Sequence, residues 1–185
     1  DVHWEISEDS SFKVIKRKGK HTAIHLLAHS VHVELYGLEA QKEYFYRFKT
    51  GKHISQVGRT KTAPIAKYNL EKLTFAFLSC QAYDSGYYTA YDHLINEKLD
   101  VVFFLGDYIY ENKGGESIPD RIHFPFKTIE TLEEYRMRYG QYKSDLSLQI
   151  AHATFPWIII PDDHEIVNDW GGEDISDEIF SERRT

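Results

Sequence analysis

The sequence predicts a mixed α/β chain, in which a partial β-sandwich over residues 1–63 precedes the first part of an α/β domain over residues 71–185. Before residue 62, apolar and polar residues alternate in short runs separated by glycines and polar turns, which is typical of sandwich strands. From residue 71 the order becomes apolar strand, helix and apolar strand, which is typical of a βαβ unit with a parallel sheet. Pro64 discourages a continuing strand and marks the boundary.

The N-terminal strands are predicted from their period-two alternation. They cover residues 2–6, 12–15, 31–36 and 44–49, and the basic stretch 16–20 ends the second. So few strands do not make a whole sandwich, and we expect the chain to be a piece of a longer protein. Four histidines in this region share no geometry, so we expect them to be solvated rather than metal ligands: His21, His25, His29 and His32.

The second half alternates strands with helices. The predicted elements are strands over 73–78, 101–105 and 155–160 and helices over 87–98, 131–142 and 144–152, the last capped by Ser144. The five apolar residues of 101–105 predict a strand buried on both faces of a parallel sheet. The polar segment 111–130 predicts a long loop, a kind that is more often functional than accidental in a compact domain.

The composition disfavours several classes of function. Acidic residues outnumber basic ones, 29 to 22, and a net charge of −7 disfavours a general nucleic-acid binder. Cys80 is the only cysteine, so no intrachain disulfide can form. No apolar run reaches the length of about 18 residues that predicts a transmembrane helix.

Each of the three apolar strands in the second half is followed by side chains that can bind metal ions. Cys80 follows the first, Asp107 and Tyr110 follow the second, and the Asp-Asp-His-Glu sequence at 162–165 follows the third. Because the carboxyl ends of parallel strands meet at one edge of a sheet, we expect these groups to converge. Singly, each has a structural alternative, as a buried thiol, a core tyrosine or a helix cap. Their coincidence favours a metal site.

Crowded carboxylates repel one another unless cations neutralise them, so a two-metal site is the simplest expectation. Oxygen ligands favour Ca²⁺, Mg²⁺ or Mn²⁺, whereas a thiolate with a phenolate suits a more acidic ion such as Fe³⁺. The sequence therefore predicts a site of mixed character.

Five short motifs follow one another along the chain. They are Ser79-Cys80-Gln81, Gly106-Asp107-Tyr108-Ile109-Tyr110-Glu111, Tyr135-Arg136-x-Arg138-Tyr139, Ala151-His152-Ala153-x-Phe155-Pro156-Trp157 and Asp162-Asp163-His164-Glu165. Together they resemble the PhoD-like alkaline phosphatase/phosphodiesterase family, which joins an N-terminal fibronectin III-like domain to a calcineurin-like metallophosphatase α/β sandwich. The segment ending at Tyr44 resembles the tyrosine corner of fibronectin type III-like domains, in which the hydroxyl bonds to nearby backbone.

The resemblance implies a ligand set. Cys80, Asp107 and Tyr110 would hold Fe³⁺, and Asp107 and Asp163 would hold Ca²⁺, with other divalent metals as alternatives. Asp163 stands where ordinary metallophosphatases have asparagine, and Cys80 takes the place of their first Asp-x-His ligands. The later histidine motifs of the family are absent from this chain, so we expect the chain alone to bind metal weakly and to have little activity.

The resemblance also implies an activity, the hydrolysis of small phosphate monoesters or diesters by a metal-activated water or hydroxide, in a secreted, periplasmic or cell-surface protein. His164 would act near the leaving-group oxygen, as acid or charge stabiliser. Arg136 and Arg138 either clamp phosphate or lie on a solvated helix face or in an internal salt bridge. Asn168 is a further candidate ligand and Trp170 a candidate pocket wall.

Two other functions stay open. The same scaffold could carry a diesterase specific for nucleotides or phospholipids. The fibronectin-like half also allows a non-catalytic extracellular module, which predicts that Asp107→Asn changes neither activity nor metal content.

Overall fold

The structure, a computed structural model, describes residues 1–66, 70–115 and 118–171 of the 185-residue chain. It divides into two compact units, the first made of Asp1–Thr74 with His152–Pro156 and the second of the other described residues from Phe75 on. The predicted domain limits at residues 63 and 71 stay a prediction. Among the described residues, no helix is both long and apolar enough to cross a bilayer.

The first unit contains a five-stranded antiparallel sheet. Its strands are β1 (Val2–Ser7), β2 (Ile15–His21), β3 (Glu43–Thr50), β4 (His53–Ile54) and β5 (Gly58–Lys61). The order is β2-β1-β3-β4, and β5 also pairs with β3. Trp4 of β1 lies opposite Gly19 on one side and Phe48 on the other, so this row of the sheet carries apolar rings on one face.

The predicted tyrosine corner is confirmed. Tyr44 is completely buried, and its hydroxyl oxygen accepts a hydrogen bond from the Glu39 backbone N–H at 3.1 Å. The phenol can be buried at this position because its polar end is satisfied locally. It holds the chain that leads into β3.

The predicted strand over 31–36 is wrong as a strand, because these residues pair with no strand among those described. The alternation nevertheless identifies the packed side chains. Val31, Val33 and Leu35 are half-buried, the residues between them are exposed, and the three line a cavity of about 470 Å³ with Trp4 and Phe48. Period-two patterning reports which side chains face an apolar surface, and a segment can satisfy it by lying across a sheet face without joining its edge.

The basic stretch 16–20 does not end a strand, as the sequence predicted, but forms most of β2. Its backbone is paired along β1, with Lys18 opposite Glu5. Gly19 lies directly under the Trp4 ring, where an added Cβ would come within 2.5 Å of Trp4 Cζ2. Cross-strand pairing and this aromatic cover outweigh the weak strand preference of lysine and glycine.

The second unit contains a parallel sheet and three α-helices. The strands are β6 (Phe75–Leu78), β7 (Val101–Phe104) and β8 (Trp157–Ile159), in that order, and the helices are α1 (Thr89–Leu94), α2 (Leu132–Lys143) and α3 (Leu146–Thr154). Short 3₁₀ helices lie at His25–Leu27 in the first unit and Pro119–Arg121 in the second. The predicted βαβ arrangement is confirmed, although α1 is much shorter than the predicted helix over 87–98.

The helices pack against one face of this sheet. Phe104 is completely buried among aromatic and aliphatic side chains from all three helices, including Tyr91, Tyr135 and Leu148. On the opposite face, Phe77 is 69% exposed and Ile158 is 53% exposed. The prediction of a sheet buried on both faces is therefore wrong for the part of the chain that the structure describes, because all its α-helices pack on the Phe104 face.

The helix ends follow their capping residues. Thr131 is the N-cap of α2, and it forms a reciprocal capping box with Glu134. Ser144 was predicted to cap α3 but is the C-cap of α2. The Asp145 side chain accepts from Leu148 N at 3.1 Å instead, because it is one residue closer to the first turn of α3.

Candidate metal centre

The three parallel strands end at the same edge of the sheet, and the segments that follow them stay side by side. Cys80 N donates to Gly106 O and Gln81 N donates to Asp107 O, both at 3.1 Å. Ile160 N donates to Phe104 O at 3.0 Å. The sequence-based expectation that the strand ends converge is confirmed, and the side chains that follow each strand are held close together as a result.

Two of these side chains start from left-handed backbone. Cys80 has φ 57° and Asp107 has φ 55°, values that residues with a Cβ rarely adopt. Such conformations cost on the order of 1–3 kcal/mol and persist only where the surroundings enforce them. Both lie within three residues of the end of a strand, β6 for Cys80 and β7 for Asp107, where the chain leaves the sheet.

Gly106 allows the ends of β7 and β8 to approach. A Cβ at this position would lie 2.3 Å from Asp162 Cβ and 2.8 Å from Asp162 N. Its φ of 101° is also accessible mainly to glycine. The glycine therefore sets the distance between Asp107 and the Asp162–Glu165 segment.

Asp107, Asp163 and His164 come together at this edge. One ligand atom from each lies within 4.8 Å of the others. Asp107 is buried, its Oδ2 accepts from the Tyr110 hydroxyl at 3.1 Å, and its Oδ1 has no hydrogen-bond partner among the described residues. A buried carboxylate oxygen without a donor is costly unless a cation or water serves it.

Cys80 and Tyr110 border this triad. The Tyr110 hydroxyl also interacts with the Cys80 thiol, and its ring packs on the His164 imidazole with 4.3 Å between centroids. Cys80 is exposed and lies outside the group within 4.8 Å. The structure thus brings all five predicted site residues to one edge, with Tyr110 between the thiol and the triad.

The charges of the triad reinforce one another. Burial opposes a charge on His164, but the hydrogen bond from its Nδ1 to Glu111 Oε2 (2.7 Å) and the negative charge of Glu111 raise the pKa of His164 above its ordinary value. Burial likewise opposes charge on Asp163. The bond that its Oδ2 accepts from Asp169 N at 2.5 Å and the adjacent His164 outweigh burial and lower the pKa of Asp163. Part of each shift comes from the other residue, because a charge on either group stabilises the opposite charge on its neighbour.

The pKa of Tyr110 is shifted in the direction that keeps its side chain uncharged. Burial, followed by the nearby Asp107 charge and the hydrogen bond to it, raises the pKa of the Tyr110 phenol well above its usual range. The chain alone therefore keeps this hydroxyl protonated. A phenolate at this position requires a strongly polarising cation.

Three residues outside the predicted set brace the site. Glu165, which the sequence suggested only as metal-capable, accepts backbone N–H bonds from Asp107 (3.2 Å), Tyr108 (2.5 Å) and Asp162 (2.8 Å). Gln81 donates from Nε2 to Tyr108 O at 2.9 Å, and Glu111 contacts His164. Hydrogen bonds between residues far apart in the chain produce no periodic pattern in the sequence. The only sequence signal for Gln81, Glu111 and Glu165 is that they directly follow Cys80, Tyr110 and His164.

Arg138 is not a phosphate clamp in this structure. It is completely buried, and its guanidinium donates to the carbonyl oxygens of Tyr110, Asn112 (2.8 Å) and Pro125 (3.1 Å). The predicted alternatives, a solvated face or an internal salt bridge, are also wrong, because its partners are loop carbonyls. Arg138 instead fastens the loop that follows Tyr110.

The other candidates take less defined places. Arg136 is half-buried on α2, and Trp170 is half-buried near the end of the described chain. Asn168 is exposed, its side-chain amide donates to Asp169 Oδ2 at 2.7 Å, and its backbone N donates to Glu111 Oε1 at 2.9 Å. Nothing in these contacts assigns Asn168 or Trp170 to a ligand or substrate.

The residues present fit a bound cation. Asp107 supplies an unserved buried oxygen, and Asp163 and His164 supply further donors within reach of the same point. The carboxylate oxygens suit a hard ion such as Ca²⁺. The Cys80 thiol and the neighbouring Tyr110 phenol suit a more acidic ion such as Fe³⁺.

Family models match both the N-terminal and the C-terminal part of the chain. Residues 75–185 match the family model described as PhoD-like phosphatase, and residues 1–64 match the PhoD-like phosphatase N-terminal domain. Alkaline phosphatase D of Bacillus subtilis (strain 168) is 51% identical over 176 residues, which cover 93% of this chain and 30% of that protein. The chain therefore spans about a third of the length of this curated relative.

A solved structure, titled "Structure of PhoD", superposes with a TM-score of 0.90 at 49% sequence identity and covers 99% of this chain and 36% of its own. Because the sequence identity is close to one half, the two chains are similar in sequence as well as in fold. The chain belongs to the PhoD-like phosphatase family.

Proposed function

We propose that the full-length protein is a metal-dependent phosphoesterase, an alkaline phosphatase or phosphodiesterase that hydrolyses small phosphate monoesters or diesters. The observation that carries this proposal is the cluster of Asp107, Asp163 and His164 at the strand ends, with the buried Asp107 Oδ1 unserved. The family membership of the chain and the printed name of its Bacillus subtilis relative support it. Because the chain covers 30% of that relative, the activity belongs to the longer protein.

The proposed ligands are Cys80, Asp107 and Tyr110 for Fe³⁺, and Asp107 and Asp163 for Ca²⁺. When bound, such cations polarise the phosphoryl oxygens and activate the attacking water. Asp107, between the two sets, is the candidate bridge, and its buried position keeps it from reorienting toward solvent. Hydrolysis would join the water oxygen to phosphorus and break the bond between phosphorus and the leaving-group oxygen, which takes up a proton and departs as an alcohol.

His164 is the proposed catalytic residue. Its Nδ1 is occupied by Glu111, so Nε2 is the atom that remains for the substrate. Placed at the leaving-group oxygen, Nε2 can donate a hydrogen bond or a proton as negative charge develops there. The packed Tyr110 ring restricts rotation of the imidazole.

The experiment that tests this proposal combines metal analysis with hydrolysis. The full-length protein is purified without chelator, its metals are measured by plasma emission, and its rates are measured on p-nitrophenyl phosphate and bis-p-nitrophenyl phosphate. Calcium with iron, and hydrolysis that a chelator abolishes, are expected. Absence of both metals and of hydrolysis would favour the non-catalytic extracellular module instead.

A substrate panel of nucleotide and phospholipid diesters separates a general phosphoesterase from a specialised diesterase. We also propose that the protein works outside the cytoplasm, in agreement with the family resemblance. Fractionation of cells that produce the full-length protein, with immunodetection in each fraction, tests the location.

A further inference from the structure

Glu111 is a buried carboxylate with an unusual set of partners. Its side chain is 4% exposed, and it forms an ion pair with His164. One oxygen, Oε2, contacts His164 Nδ1 at 2.7 Å, and the other, Oε1, accepts from Asn168 N at 2.9 Å. A buried charge of this kind is retained only where its hydrogen bonds are well satisfied.

The contact constrains the tautomer of His164. Carboxylate oxygens accept hydrogen bonds, so a contact of 2.7 Å with Nδ1 favours the tautomer that carries its hydrogen on this nitrogen. With Nδ1 committed, Nε2 is directed to the opposite side of the ring. A hydrogen bond to one imidazole nitrogen is the ordinary way in which proteins choose the tautomer and the orientation of a functional histidine.

The location of Glu111 ties this bond to the rest of the site. It follows Tyr110 directly, so the segment that delivers Asp107 and Tyr110 also delivers the partner of His164. The Asn168 contact holds the chain beyond His164 to the same carboxylate. Both arms of Glu111 therefore fasten the His164 loop to the end of β7.

We infer that Glu111 is a positioning residue, which orients His164 so that Nε2 faces the leaving group of the substrate. This inference rests on the proposed function for its catalytic consequence, but the geometry of the pair does not. The Glu111 side chain contacts His164 and the Asn168 backbone, so its effect on the reaction passes through the histidine.

The test uses four forms of the full-length protein: wild type, Glu111→Gln, His164→Asn and the double variant. Glutamine has the size of glutamate but one acceptor oxygen, so it cannot accept from both His164 and Asn168. We expect Glu111→Gln to lower kcat by about 10–100-fold with little change in KM, the scale found for partners of functional histidines. The loss should be larger for phenyl phosphate than for p-nitrophenyl phosphate, whose leaving group needs less help.

The double variant distinguishes a positioning role of Glu111 from a purely structural one. If Glu111 acts through His164, Glu111→Gln causes no further loss once His164 is replaced, and the metal content stays at the wild-type level. A multiplicative further loss, a parallel fall in bound metal, or unchanged kcat in the single variant would overturn the inference. Glu134→Gln is the matched control, because Glu134 also accepts backbone N–H bonds, from Glu130 (2.9 Å) and Thr131 (3.2 Å), but away from the candidate metal centre.

An NMR measurement separates this inference from the proposed function. Long-range ¹H–¹⁵N correlation of the imidazole, assigned by comparison with His164→Asn, should show His164 protonated at Nδ1 in the wild type and altered in Glu111→Gln. If the wild type hydrolyses no phosphate ester yet shows this signature, the proposed activity fails and the pairing stands. An Nδ1 without a proton would overturn the pairing itself.

Discussion

Carboxylates on the sheet of the first unit and carboxylates at the candidate metal centre are neutralised in different ways. In the first unit, Glu5 contacts Arg47 at 2.7 Å and Lys49 at 2.8 Å, so this carboxylate meets two positive charges on the same sheet. Glu8 is shared in the same manner by two lysines. The sheet surface is thus balanced by the chain itself.

At the candidate metal centre of the second unit, no such balance exists among the described residues. The carboxylates of Asp107, Asp163 and Glu165 are served by N–H and O–H groups, and none of them pairs with a lysine or arginine. The nearby negative charges of Asp163 and Asp107 contribute to the raised pKa of His164. Negative charge that the chain leaves unbalanced therefore marks a place where a bound cation would be stabilising.

The largest effect is expected for Asp107→Asn in the full-length protein. Loss of the candidate bridging carboxylate should lower hydrolysis of p-nitrophenyl phosphate by more than about 100-fold, on the scale of removing one catalytic electrostatic group, and should lower bound metal. Glu5→Gln, which removes a carboxylate already balanced by the chain, is the control and should change neither. Equal activity and metal content in Asp107→Asn and wild type would end the metal interpretation.

Metal removal should affect the two units unequally. Ca²⁺ added to chelated full-length protein at about 100 times its dissociation constant should stabilise the folded state by about 2.7 kcal/mol. Hydrogen exchange should show the gain at the amides of Asp107, Tyr108 and Asp162, and little change along β1 and β3. Equal protection in both sheets would show that the charge contrast has no consequence for binding.

Gly106→Ala tests the close approach of the two strand ends. The added Cβ would meet Asp162 at 2.3 Å on backbone with φ 101°, so we expect a loss of about 1–3 kcal/mol in the free energy of unfolding, together with weaker metal binding. Gly140→Ala is the matched control, since a Cβ at Gly140 of α2 has nothing within 4 Å. That variant should gain roughly 0.5–1 kcal/mol from helix propensity.

Thr131→Ala removes the N-cap of α2, whose side chain accepts from Glu134 N. We expect the free energy of unfolding to fall by about 1 kcal/mol, as for other N-caps. Rates and metal content should not change, because this capping box lies outside the carboxylate cluster. A fall in metal content equal to that in Asp107→Asn would show that α2 supports the site more directly than its contacts indicate.

The smallest effect concerns acid sensitivity in the first unit. The Lys49 hydrogen bond, aided by Arg47 and opposed by burial, lowers the pKa of Glu5 below its ordinary value. A lowered folded-state pKa contributes stability that is present above the unfolded value of 4.5 and is lost as pH falls through the folded one. Glu5→Gln should therefore flatten the loss of stability below about pH 4.5, by at most about 1 kcal/mol, as measured by urea unfolding at several pH values.

Much of this architecture can be predicted from sequence because it follows local periodicity. The βαβ unit and the convergence of Cys80, Asp107 and Asp163 follow from apolar runs and from what comes directly after them. The tyrosine corner was expected from a resemblance to fibronectin type III-like domains. Which strands pair cannot be predicted in this way. The alternation at 31–36 does not indicate that, among the described residues, no strand lies alongside. The lysines of β2 do not indicate that β1 pairs with them.

The site was predictable to the level of its candidate ligands and no further. The roles of Glu111 and Glu165 depend on contacts between residues far apart in the chain, such as Glu165 with Asp107. The place of Arg138 was not predicted for a related reason, since the loop carbonyls that surround its guanidinium come from residues far from it in the chain.

The Glu165 carboxylate has a practical consequence for anyone following how this site assembles. Three amide protons, of Asp107, Tyr108 and Asp162, converge on one side chain from the segments that follow two separate strands. In an NMR spectrum these should be displaced downfield together, and Glu165→Gln should move all three signals at once. They would form an internal reporter that shows whether the two strand ends have come together, in a sample that contains no substrate and performs no turnover.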